Sequence, residues 1–190
     1  MSPPFFHQLG KVFTSLAKLL DNIGHFALIY VLKAGHGAQV DTGESPMNFE
    51  NASTAITATL IPEGPQRLNF LSMMFGRNFM RGEALVYGWL SRLSEDYNGG
   101  FWNYYTLTNG GFYMAPATDK ALRLVVAGNW FEGELSADAA GIVATLFALG
   151  QIAAEIQGTA EADALIDRYY FLRDFAAEHA EAGLIFRAID

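Results

Sequence analysis

Carboxylates in close succession are the residues here whose types and spacing could do chemistry. Glu95 and Asp96 are adjacent, and Glu132 and Glu134 stand just ahead of Asp138. Two carboxyl groups facing one bond can share general acid and base work, as in glycoside hydrolysis. Acids also gather at helix ends and turns for structural reasons, and that reading is preferred for these. Ser136 precedes an apolar helical run, where a hydroxyl caps the helix, so a cap is expected there rather than a nucleophile. The four histidines, His7, His25, His36 and His179, lack a HExxH or i, i+4 partner, so no metal site is expected. Without cysteine there is no thiolate nucleophile and no disulfide framework. No GxSxG, Walker or GxGxxG pattern occurs, and no cofactor is expected.

A second constellation is aromatic. In DYNGGFWNYYTLTNGGFYMAP (96–116), Trp102, Tyr104, Tyr105, Phe112 and Tyr113 surround two NGG triplets. Stacked rings can bind single-stranded nucleic acid, but such platforms sit in positive grooves, and only Lys120 and Arg123 lie near. The net charge of −8 is also unevenly placed: residues 1–131 carry 9 acids and 9 Lys/Arg, whereas 132–190 carry 11 acids and 3 Arg. No basic footprint for a phosphate backbone exists, and strong DNA binding is not expected. A sheet with one face in the core and a tyrosine-rich face toward a protein is the preferred reading, and Tyr104 and Tyr113 are taken as contact residues.

These residues need elements to position them. ITATLIP (56–62) reads as a short strand, 66–76 as a short helix, and 82–97 as a helix stopped by Asn98-Gly99-Gly100. Asn109-Gly110 predicts a two-residue hairpin turn. It sets Leu107 opposite Phe112 and Tyr105 opposite Met114, with Trp102, Tyr104 and Tyr113 on the other face. ALRLVVAG (121–128) would complete a three-stranded antiparallel meander. Ser136 starts a nearly all-apolar helix that should be central and buried. The run 160–179 sets Leu165, Tyr169, Leu172 and Ala176 on one stripe, and AGLIFRAI forms a last short helix. The fold class is α+β, with four to five helices packed on the meander.

Residues 5–20 form an amphipathic stripe, an apolar run at 23–32 is too short to span a bilayer, and 35–54 has linker composition. Residues 1–46 are therefore expected to be a helical extension outside the core. The segment 47–190 has single-domain length.

Longer stretches carry a resemblance. RLNFLSMMFGRNFMRGEALVYGWLSRLSEDYNGGFWNYYTLTNGGFYMAP, then GNWFEGELSADAAGIVATLFAL and RYYFLRDFAAEH, are similar to the ArdB/KlcA-type antirestriction proteins over residues 47–190. The resemblance implies a small cytoplasmic protein of plasmids and other mobile elements that relieves type I restriction of unmodified incoming DNA. It implies no enzymatic activity, metal or cofactor, and a compact α+β fold. Its partner would be the host type I restriction–modification machinery. Contact with a restriction subunit, or an indirect effect on its DNA translocation, is expected through an acidic patch of Glu132, Glu134 and Asp138, with Glu95 and Asp96 as outer members. The alternative is an aromatic-surface module for single-stranded nucleic acid.

Overall fold

Ser136 and the helix it caps organise the molecule. The Ser136 hydroxyl accepts the Ala139 N–H at 3.2 Å, satisfying a donor that the first turn would otherwise leave unpaired. Asp138 lies in that first turn, where a carboxylate meets the positive end of the helix dipole. Every residue from Ala139 to Leu146 is buried, as a run with almost no polar face requires. By length and composition this helix could cross a bilayer, but 78% of that stretch is buried inside the protein, as in a core helix.

The computed structural model describes residues 55–190. The expected stripe at 5–20, the apolar run at 23–32, the linker at 35–54 and His7, His25 and His36 lie outside the described residues. In chain order the elements are β1 (Ala58–Leu60), α1 (Pro65–Phe75), a 3-10 turn (Gly76–Asn78), α2 (Phe79–Leu93), β2 (Trp102–Leu107), β3 (Phe112–Pro116), β4 (Leu122–Val126), β5 (Phe131–Leu135), α3 (Ala137–Glu155), α4 (Ala160–Ala177) and α5 (Ala182–Ile189). The class is α+β, as expected, with helices packed around two small antiparallel sheets.

The composition of the sheets differs from expectation. The three-stranded sheet has the order β1-β2-β3, while β4 pairs with β5 in a separate two-stranded sheet. The reason lies at the far edge of β3. There the Thr145 hydroxyl of α3 accepts the Met114 N–H at 3.2 Å and donates to the Gly141 carbonyl at 2.8 Å. At Gly141 a Cβ would come within 2.4 Å of the Met114 carbonyl oxygen, so glycine lets the helix backbone lie directly on the strand. That edge is covered, and the strand at 122–126 must find its partner elsewhere.

The β2–β3 hairpin is one residue out of the expected register. Leu107 N donates to Gly111 O at 2.9 Å, and Thr106 is paired with Phe112. The loop is therefore three residues, Thr108 to Gly110, with Gly110 at φ 89°, the left-handed residue such loops use. The slip exchanges partners throughout: Tyr104 opposes Met114, and Tyr105 opposes Tyr113. Trp102 and Tyr104 thus share a face with Met114, while Tyr113 lies on the other. α2 also stops earlier than expected, at Leu93, with Ser94 already extended. The next residues have partners outside the helix: Asp96 accepts the Arg123 N–H at 3.0 Å and Tyr97 accepts the Trp102 indole N–H at 2.8 Å.

Candidate functional site

The expected contact residues fall into three places. Tyr104 is in the core, with 7% of its surface exposed. Its ring stacks on Phe70 of α1 at 5.0 Å, under the Arg67 guanidinium at 4.1 Å. Its hydroxyl lies 3.3 Å from both Glu83 and the Tyr87 hydroxyl. Tyr113 is deeper still and is sandwiched between Tyr105, at 4.6 Å, and Phe175, at 5.6 Å. Trp102 is buried too, against Tyr87 and Tyr97. These rings pack on α1, α2 and α4 and offer no stack of faces to a nucleobase. The stacking platform, and the contact role of Tyr104 and Tyr113, are corrected by this burial.

Asp138 belongs to a second cluster. The Tyr113 hydroxyl donates to Asp138 Oδ1 at 2.9 Å, and His179 Nε2 is 3.2 Å from Oδ2. The Glu181 N–H donates to His179 Nδ1 at 3.0 Å, which leaves the neutral ring's proton on Nε2, directed at Asp138. Both ring nitrogens are engaged. Ser136 Oγ donates instead to Glu181, whose other oxygen accepts the Ser136 N–H. A serine–histidine relay needs an imidazole nitrogen free to take the hydroxyl proton, and none faces Ser136 here. Burial and the charge of Asp138 push the Tyr113 hydroxyl well above its ordinary pKa, and the same two causes raise Tyr105. Beside this cluster a cleft of about 420 Å³ is lined by Asn103, Tyr105, Thr118, Asp119 and Asp138, among others.

The third place is the outer face of the β4–β5 sheet. Alternation turns Leu122, Leu124, Val126, Phe131 and Leu135 inward and leaves Arg123, Val125, Glu132 and Glu134 exposed. Arg123 reaches diagonally to Glu132, with Nη2 and Nε at 2.6 and 3.0 Å from one carboxylate oxygen. Glu132, Asp96 and Glu95 all act to raise the Arg123 pKa, and Glu134 is the cross-strand partner of Arg123, so four acids gather around one arginine. The structure brings these four together and assigns Asp138 to the Tyr113–His179 cluster instead.

Residues 95–190 match the model of a family described as antirestriction protein. The chain is 67% identical over 136 residues to the antirestriction protein KlcA of Escherichia coli, covering 71% of this chain and 95% of that protein. This chain belongs to the antirestriction protein family. A more distant relative, the uncharacterized protein YafX of E. coli strain K12, is 37% identical over 139 residues, covering 71% of this chain and 88% of that protein. A solved structure from work on the KlcA and ArdB proteins is 60% identical with a TM-score of 0.67, covering 80% of this chain and all of that one. Those proteins are reported to show a novel fold and antirestriction activity against type I DNA restriction systems in vivo but not in vitro.

In this antirestriction chain the family match takes in both the acidic face and the Asp138 cluster. Sequence reasoning missed the partnership of Tyr113, Asp138 and His179, because residues 113, 138 and 179 meet only through the packing of β3, α3 and the turn that follows α4. The one available signal was Asp138 in the first turn behind a capping serine. Among the described residues no group of three His, Cys, Asp or Glu is arranged to hold a metal ion.

Proposed function

We propose that this protein is an inhibitor that relieves type I restriction of unmodified incoming DNA in the cytoplasm, acting through contact with protein or indirectly on translocation rather than by imitating DNA. The observation that carries the reading is 67% identity to KlcA over 95% of that protein. The acidic face of Glu95, Asp96, Glu132 and Glu134 is the proposed contact surface. Asp138 stands apart from it and acts chiefly in the fold.

Charge geometry supports contact over mimicry. B-DNA carries a charge about every 1.7 Å of its axis, whereas three surface carboxylates here are matched by arginine: Arg77–Glu161 at 2.9 Å, and Arg81–Glu155 and Arg123–Glu132 at 2.6 Å. With these three paired and the remaining acidic excess confined to the last third of the chain, the surface does not reproduce a run of phosphates. The contrast reported for the KlcA and ArdB proteins, active in vivo but not in vitro, points the same way. A DNA mimic would occupy the purified enzyme's DNA groove, whereas a protein needing a cellular partner or step would not inhibit there.

The test is plating of unmodified phage on a type I restricting host that expresses residues 1–190 or 47–190. Raised recovery with both forms is expected, which would place the functional unit at 47–190. Recovery with the long form alone would assign a role to residues 1–46. Absence of recovery with either, from soluble folded protein, would overturn the reading for that restriction class.

A further inference from the structure

Trp130 stands out at the tip of the β4–β5 hairpin. Its side chain is 92% exposed, the highest value among the large apolar residues described. Its backbone is left-handed, φ 60°, and it is the single non-glycine residue with positive φ among those described. A bulky L-residue adopts that conformation only against steric resistance, and glycine would take it freely. Folding therefore gains nothing from tryptophan at this position, since the residue is strained and buries almost none of its surface.

The turn that carries it is firmly held. Asn129 Nδ2 donates to the Arg187 and Ala188 carbonyls at 3.0 and 3.2 Å, and Asn129 Oδ1 accepts the Phe131 N–H at 3.0 Å. Those carbonyls lie in the last turn of α5, where a helix leaves acceptors unpaired. Asn129 thus ties the hairpin tip to the helix end and fixes the backbone on both sides of the indole. Trp130 directly precedes β5, whose outward residues are Glu132 and Glu134, and Val125, paired with Glu132, is 44% exposed.

We propose that Trp130 is the anchor by which this protein docks on a partner protein, entering an apolar pocket whose rim carries lysines or arginines that face Glu132 and Glu134. The proposal rests on the protein-contact reading above and names the residue and the partner chemistry for that same surface. Tryptophan is among the residues that dominate binding energy at interfaces, and an anchor already fixed in place loses little freedom on docking. The charge decides the class of partner. Four acids around one arginine repel phosphate backbones and anionic headgroups and complement a basic protein surface.

Phage plating with the full chain, beside thermal unfolding of each variant, tests this. Trp130→Gly removes the indole and the strain together, so its unfolding midpoint should equal or exceed the wild type's, while phage recovery falls about tenfold or more. Trp130→Phe should retain most recovery. The double change Glu132→Lys, Glu134→Lys should lower recovery with the fold intact. Wild-type recovery in Trp130→Gly would overturn the anchor, as would a loss of recovery accompanied by a lowered midpoint. Unchanged recovery in the double variant would overturn the basic rim. The wild-type arm separates the two readings: if wild type itself gives no recovery, the antirestriction reading fails and the anchor falls with it.

Discussion

Asp138 accepts from Tyr113 and from His179, and the tyrosine's raised pKa has a consequence for stability. A group whose folded pKa lies above its unfolded value contributes stability that is complete below the unfolded value and is lost as pH rises. For Tyr113 the unfolded value is the ordinary 10.0, and burial, then Asp138, raise it in the fold. Stability should therefore fall as pH climbs past that value, with Tyr113 ionising only as the chain unfolds. Asp138→Asn removes the charge but not the burial. Between about pH 8 and about pH 11 stability should fall as the unfolded tyrosine ionises, and Asp138→Asn should be less stable at neutral pH by about 1–3 kcal/mol for the broken acceptor set. Urea unfolding across that range measures both. Tyrosinate absorbance of the folded proteins tests the link itself: a Tyr113 that ionises no earlier in Asp138→Asn than in the wild type would show that Asp138 does not govern the tyrosine.

Thr145 is the smallest device in the fold with an element-scale effect. Its hydroxyl serves the buried Met114 N–H at the edge of β3, and a buried amide left unpaired costs about 1–3 kcal/mol. Thr145→Val keeps the shape of the side chain and should lower stability by about that amount in chemical denaturation. A loss below about 0.5 kcal/mol would mean the amide finds another partner. This contact also explains which parts of the fold were legible in the sequence. The helices were readable because each needs only its own period and caps: Ser136 as cap, and Leu165 and Leu172 on the stripe of α4. Four strands were readable but β5 was not, since FEGEL holds a glycine and two glutamates, residues depleted in strands. The partners were not readable either, because Thr145 sits in the middle of an apolar helix and nothing local marks it as the cover of a strand. The hairpin slip has a similar cause. Asn109-Gly110 signals a turn, but the loop length is set with help from α4, where the Phe171 carbonyl accepts from Asn109 Nδ2 at 2.8 Å. For the candidate site, the acids were visible as residue types, but their grouping around Arg123 depends on the pairing of β4 with β5. Trp130 drew no notice because its exposure and backbone angle have no signature in the sequence.

Taken as a whole molecule, the protein presents a net charge of −8 and sequestered rings. Trp102, Tyr104 and Tyr113 are buried, and the whole of the net negative charge falls in the last third of the chain. Single-stranded oligonucleotides should therefore show no salt-dependent binding in a fluorescence anisotropy titration, and Trp102→Ala should change stability rather than binding. Tight binding that weakens steeply with added salt would reopen the nucleic-acid reading.

β1 lies far in sequence from the strand that completes it. Leu60 pairs with Tyr105, so on the ribosome β1 leaves the exit tunnel well before its partner has been made. Synthesis at roughly 5–20 residues per second opens an interval of a few seconds during which the nascent strand has no ladder to join. Ala58, Thr59 and Leu60 remain exposed even in the finished fold, so little apolar surface is at stake while the strand waits. A three-residue strand of this kind can be released late in translation without exposing an adhesive segment to neighbouring chains.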